Sequence, residues 1–162
     1  MNDNEKELAE SFFQDAKGDI GDKLRSLFDQ MWFVAPLFRT VENQAAAGGK
    51  VYAFYFTARN GHGNELPTVF NHPEYNESVG VFIDETFSKT VRRMWIQFAK
   101  TGDPSLGADI SPDGKEHQWP LYDPENKWVM VLDESNIHPE KGSDMQLLDW
   151  DRTYFLTRYY LF

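Results

Sequence analysis

The stretch of this chain best suited to chemistry is Gly61-His62-Gly63-Asn64-Glu65-Leu66-Pro67-Thr68-Val69-Phe70. An imidazole titrates near neutral pH, so one side chain can take a proton and later return it. His62 is therefore the candidate general base and acid. Glu65 lies too near it in sequence to be the obvious carboxylate on the far ring nitrogen. It reads instead as a residue supporting the histidine's surroundings or the start of a helix. Taken alone, a single histidine is more often structural than catalytic.

Other candidate sites are weaker. Asn76-Glu77-Ser78-Val79-Gly80 imitates a nucleophile elbow but lacks the first glycine, and no strand enters it, so Ser78 reads as a loop serine. His62, His72, His117 and His138 show no metal-ligand spacing, and His62 with Glu65 is a weak pair, so neither metal nor cofactor is expected. Asp109-x-Ser111-x-Asp113-Gly114 resembles the start of a calcium loop, but Pro120 stands where the bidentate glutamate belongs. A hairpin turn is the better reading.

The elements that must position His62 can be read from periodicity and breakers. Leu8, Phe12, Phe13 and Ala16 lie on one face of a helix over Glu5–Lys17, stopped by Gly18. A short helix from Asp22 carries Leu24, Leu27, Phe28 and Met31. A third opens at Pro36 and runs through Phe38, Val41 and Ala45 to Gly48-Gly49. Val51–Phe56 is apolar on both alternating faces, as in a strand covered above and below within a largely parallel sheet. A long helix from Asp84 to Lys100 has the face Phe87, Val91, Met94, Trp95 and Phe98, and ends at Gly102-Asp103-Pro104. A polar loop follows, with a tight turn at Pro112-Asp113-Gly114. Then come a strand over Trp128–Leu132 and a closing helix from about Asp144. Two convincing strands among some five helices are too few to supply a sheet, which suggests part of a larger fold.

Bulk composition narrows the field. The length, 162 residues, fits one domain over 1–162, and 41% hydrophobic with 26% charged residues is globular material. With no cysteine there is neither a disulfide nor a thiol nucleophile. A net charge of −10, with Arg92-Arg93 the one adjacent basic pair, disfavours a nucleic-acid partner. The apolar runs are too short to span a bilayer, and Met1-Asn2-Asp3-Asn4-Glu5 has no signal-peptide character. The expectation is a soluble, cytoplasmic protein with no membrane partner.

Several spaced motifs together resemble the type-B carboxylesterases, the group that includes para-nitrobenzyl esterases and cholinesterases. His62 to Phe70 matches the family's His-x-x-Glu-Leu-Pro-x-Val-Phe. Asp29, Phe33 and Pro36 look like its Asp-x-x-x-Phe-x-x-Pro, and Val51–Phe56 resembles the strand before its histidine. Trp95-Ile96-Gln97-Phe98-Ala99-Lys100-Thr101-Gly102-Asp103-Pro104 is close to Trp-x-x-Phe-Ala-x-Thr-Gly-Asp-Pro, and Trp119-Pro120-Leu121-Tyr122 to the following Trp-Pro-x-Tyr. The resemblance runs from about residue 22 to 162. One departure is the link from Phe56 to His62, shorter than the family pattern.

The resemblance implies an α/β class: the C-terminal part of an α/β-hydrolase fold, helix-rich, with a few strands from the edge of the central sheet. It implies a serine carboxylesterase in which His62 relays the proton of a serine carried upstream. The Gly-x-Ser-x-Gly elbow does not occur here, and the triad acid and oxyanion donors belong upstream too, Asp29 resembling a structural aspartate of the family. The expected partners are an ester substrate and the missing N-terminal portion, and the chain alone is expected to be inactive. The terminal aromatics Trp150, Tyr154, Phe155, Tyr159, Tyr160 and Phe162 are by default core, with a dimer seam or a surface orphaned by truncation as alternatives; cholinesterase-type members pair through C-terminal helices, so a homodimer is the second expectation. The alternative function is a non-catalytic, esterase-like interaction module.

Overall fold

A computed structural model of the chain describes residues 3–59, 63–78, 80 and 82–142. They fall into two compact units. One is made of the first 51 residues with Asp123–Lys127 and the chain from Gly142, the other of Tyr52–Tyr122 with Trp128–Lys141. The expected closing helix and its aromatic residues, with the dimer seam they would form, lie outside the described residues.

The first unit is helical. Helix α1 (Asp3–Asp15) buries Phe12, whose ring meets Phe13 edge-on at 6.0 Å. Helix α2 (Ile20–Asp29) begins before Asp22, because Asp19 is its cap. The Asp19 carboxylate accepts the Asp22 N–H at 2.9 Å, and the Asp22 carboxylate accepts the Asp19 N–H at 3.3 Å. The separate third helix expected at Pro36 is instead continuous with α2. A wide turn over Gln30–Val34, in which the Ala35 N–H reaches the Gln30 carbonyl, leads into α3 (Ala35–Ala46). Pro36 has no N–H for the ladder and its ring crowds the carbonyl four residues back, and a wider, π-type turn just before it eases that crowding. Ala35, Phe38 and Val41 are buried on α3, and Lys127 pairs with Glu42 at 2.8 Å.

The second unit carries the sheet. Strand β1 (Ala53–Phe56) is followed by two short helices, α4 (Leu66–Phe70) and α5 (Pro73–Ser78), and by the long α6 (Glu85–Thr101). Asp84 caps α6 by accepting the Phe87 N–H at 2.6 Å, and Gly102 ends it at φ +74°, a conformation that favours glycine. Strands β2 (Trp128–Leu132) and β3 (Ile137–Lys141) complete the order β1-β2-β3, with β1 parallel and β3 antiparallel to β2. Strand β3 was not expected: Pro139 and the charges around it hide the pattern, and proline is tolerated on such an edge strand.

One core joins α6 to the sheet: Phe87, Val91 and Met94 pack with Met130, Leu132, Leu106 and Trp119. Trp119 donates its indole N–H to the Ala53 carbonyl at 3.0 Å. The loop after α6 folds back on itself, as the hairpin reading required, with Leu106 and His117 exchanging backbone bonds of 3.0 and 2.8 Å. The two-sided cover expected of β1 is incomplete. Ala53 is buried, but Phe54 is 38% and Tyr55 39% exposed, and β1 has β2 as its one strand neighbour among the described residues.

Candidate active site

Because β1 and β2 run parallel, in register from Ala53 with Val129 to Phe56 with Leu132, their carboxyl ends lie side by side. Open α/β sheets bind ligands at that edge. The chain leaves β1 through Thr57 and Arg59, and leaves β2 through Asp133 and Glu134. The Thr57 N–H donates to the Leu132 carbonyl at 3.1 Å, extending the ladder by one residue. Its hydroxyl donates to Asp133 Oδ2 at 2.9 Å. Arg59 Nη2 donates to Glu134 Oε1 at 2.9 Å and to the Phe82 carbonyl.

Asp133 is itself held. Ser135 donates its hydroxyl to Oδ1 at 2.5 Å and its N–H at 2.9 Å, and these bonds, with the one from Thr57, keep the carboxyl below the usual aspartate range. Beside it lies a polar hollow of about 190 Å³, lined by Asp84, Thr86, Asp113, Asp133, Glu134 and Ser135 among others. No group of three or more His, Asp or Glu side chains among the described residues could hold a metal ion.

His62 lies outside the described residues. The chain resumes at Gly63, φ +75°, in a turn closed by the Leu66 N–H on the Gly63 carbonyl at 3.1 Å. Glu65 stands at the start of α4, where its carbonyl accepts the Val69 N–H at 2.9 Å and its side chain makes no capping bond. Helix α4 is pinned to α6 by Ser88, whose hydroxyl donates to the Thr68 carbonyl at 2.7 Å, both residues being fully buried. Of the described residues on either side of positions 60–62, Thr57 is thus bonded to the end of β2 and Thr68 to α6.

Two serines can be set aside. Ser78 is the last residue of α5 and exposed, not a loop serine, and no strand leads into it. Ser111, Asp113 and His117 do meet: the Ser111 hydroxyl donates to Asp113 Oδ1 at 2.7 Å, and His117 Nε2 lies 2.9 Å from Oδ2. Here the carboxylate sits between serine and imidazole, so the imidazole cannot deprotonate the hydroxyl; a triad needs the imidazole in the middle. Burial works to raise the Asp113 pKa, but the bonds from Ser111, Lys115 and His117 outweigh it and hold the carboxyl low. This cluster ties the loop together.

A second hollow, of about 180 Å³, lies around the first half of β1 between Tyr52, Phe54, Trp95, Phe98 and Trp119. The Trp95 and Trp119 rings meet at 5.9 Å, and Phe54 touches both. Burial and then the charge of Asp103 push the Tyr52 phenol above its ordinary pKa. The hollow is aromatic and offers no converging groups for acid–base work.

The sequence reading missed Thr57, Arg59, Asp133 and Glu134. None has a local signal, because their meaning appears once the β1–β2 register is known.

Residues 2–148 match the model of the carboxylesterase family, a span that starts before the motifs do. Mouse carboxylesterase 5A is 30% identical over 153 residues, covering 83% of this chain and 25% of that protein. Acetylcholinesterase 4 of Caenorhabditis briggsae is 26% identical over 167 residues, covering 87% of this chain and 27% of that protein. A solved carboxylesterase of Geobacillus stearothermophilus is similar at a TM-score of 0.67 and 27% identity, over 87% of this chain and 30% of that one. An esterase of Clostridium hathewayi, at 24% identity and a TM-score of 0.56, shares the fold. The chain spans about a quarter of the length of these curated relatives. Its helices and three-stranded sheet correspond to part of an α/β-hydrolase fold, and the chain belongs to the carboxylesterase family.

Proposed function

We propose that this chain is the C-terminal part of a type-B serine carboxylesterase and supplies His62 as the general base and acid of ester hydrolysis. The observation that carries the proposal is the place of the His62–Phe70 motif. In sequence it follows β1, a strand parallel to β2, and it lies inside the span matched to the family, which supports the reading. A base on the loop beyond such a strand is within reach of a serine presented at the same edge by an upstream strand.

In this reading, His62 takes the proton of that serine as it attacks the ester carbonyl, then returns it to the leaving alcohol. Water deacylates the enzyme by the same relay. Serine, triad acid and oxyanion donors come from the part of the esterase that this sequence does not contain. The half-exposed Phe54 and Tyr55, and the single strand neighbour of β1 among the described residues, support membership of a larger sheet. The same features weigh against an autonomous interaction module.

The test is to supply the upstream portion of the esterase, fused or in trans, and to assay a simple aryl ester. The chain alone should give no turnover, and the reconstituted protein should turn over. His62→Ala should then lower kcat by about 10⁴-fold or more, the scale of losing a triad member. Activity that survives this substitution sinks the assignment.

A further inference from the structure

We infer that the loop from Leu106 to His117, between α6 and β2, is held shut by the Asp113 carboxylate as a clasp that acid releases, so that the loop opens at low pH while α6 and the sheet stay folded. The neck of the loop is sewn into the core. Leu106 and His117 exchange backbone bonds, Leu106 is fully buried, and the Trp119 N–H donates to the Ser105 hydroxyl at 3.0 Å. Beyond the neck, residues 108–116 are exposed apart from Ser111 and the half-buried Asp113. No apolar side chain in that stretch is buried, so the hydrophobic effect does little to close it.

Polar bonds close it instead, and they converge on one side chain. Asp113 Oδ1 accepts the Ser111 hydroxyl at 2.7 Å and the Lys115 N–H at 3.0 Å. Nε2 of the buried His117 lies 3.1 Å from Oδ1 and 2.9 Å from Oδ2. An ionised carboxylate accepts and does not donate, so Nε2 carries the hydrogen whether or not the ring is charged. Protonating the imidazole therefore leaves the clasp shut. Protonating the carboxylate opens it, because the bonds lose their charge and one oxygen becomes a donor among donors.

The sign of the pH dependence follows. Against the opposing pull of burial, the bonds from Ser111, Lys115 and His117 hold the folded carboxyl below the ordinary aspartate range. Their stabilisation is present above the unfolded value, about 3.9, and is lost as pH falls below it through the folded one. Asp113 shares a hollow with Lys115 of its own loop, with Asp84 at the start of α6, and with Asp133 and Glu134 of the turn after β2. Those three carboxylates repel an ionised Asp113, so their protonation relieves repulsion and works against opening. Arg93 of α6 reaches the loop as well, donating Nε–H to the Ile110 carbonyl at 3.4 Å, and it keeps its charge throughout the acid range. Release must then come from Asp113.

The test is amide exchange on the full chain from about pH 7 to about pH 2, with each rate corrected for its intrinsic pH dependence. The Gly114, Lys115 and His117 amides should hold their protection down to about pH 4 and then lose roughly ten- to hundredfold, the scale of a charge-assisted bond, while the α6 amides keep theirs. Asp113→Asn, which preserves the shape, should lower loop protection at every pH and abolish the step. His117→Gln, which leaves the carboxylate but removes a partner, should move the step up towards the ordinary aspartate range. Asp133→Asn should leave the step in place.

Loss of loop and α6 protection in a single step is global acid unfolding and overturns the inference. So does a step that persists in Asp113→Asn or disappears in Asp133→Asn. Should Asp113→Asn fail to fold, an unmoved step in His117→Gln overturns it equally.

Discussion

Helices α2 and α6 begin alike and end up in opposite circumstances. Each starts at an aspartate whose carboxylate accepts the backbone N–H three residues on, Asp22 in one case and Phe87 in the other. Each carries an apolar stripe at helical spacing. Yet α6 buries Phe87, Val91 and Met94 against the sheet, whereas α2 has no buried residue, and Leu24 and Phe28 on its stripe are 42% and 54% exposed. An amphipathic pattern states which face needs cover; it does not contain the cover.

The comparison can be broken or sharpened by substitution. Met94 is fully buried, so Met94→Ala should cost about 2–5 kcal/mol in a denaturant melt of the second unit, since little can collapse into the space. Removing the α6 cap with Asp84→Ala should cost about 1 kcal/mol by the same melt, because one backbone donor in the first turn loses its partner. Phe28→Ser on α2 should change stability by no more than about 0.5 kcal/mol, as for other exposed positions. If Phe28→Ser proved as costly as Met94→Ala, the α2 face would be covered and the contrast would fail.

Much of the fold was legible because its signals are local. Gly102, Asp84 and the Pro112-Asp113-Gly114 turn announce themselves through backbone conformation or short side-chain bonds, and the structure has each where expected. Pro36 was read as the start of a new helix, since proline suits a first turn. Its actual effect, a wide turn within one continuous helical run, depends on the preceding residues staying helical. Strand β3 escaped because all of it but Ile137 is made of poor strand formers, and pairing with β2 on one side makes the strand.

The candidate site divides the same way. His62 and Glu65 stand out by residue type and by the motif around them, which sequence carries in full. Thr57 and Arg59 look like ordinary loop residues, and Asp133 and Glu134 like an ordinary acidic turn, until the sheet sets them side by side.

The sequence by itself determined the family through a set of short motifs, the start of α6 at Asp84 and its stop at Gly102, and it singled out the candidate base, because each motif or signal is carried by residues within a few positions of one another. Tertiary structure alone decided which apolar faces are covered. It also decided that β1 and β2 run parallel, and that Thr57 answers to Asp133. Those outcomes depend on which distant segments share a sheet, and the energy that selects them is spread over the core of Val91, Met94, Met130 and Leu132 that holds α6 to the strands.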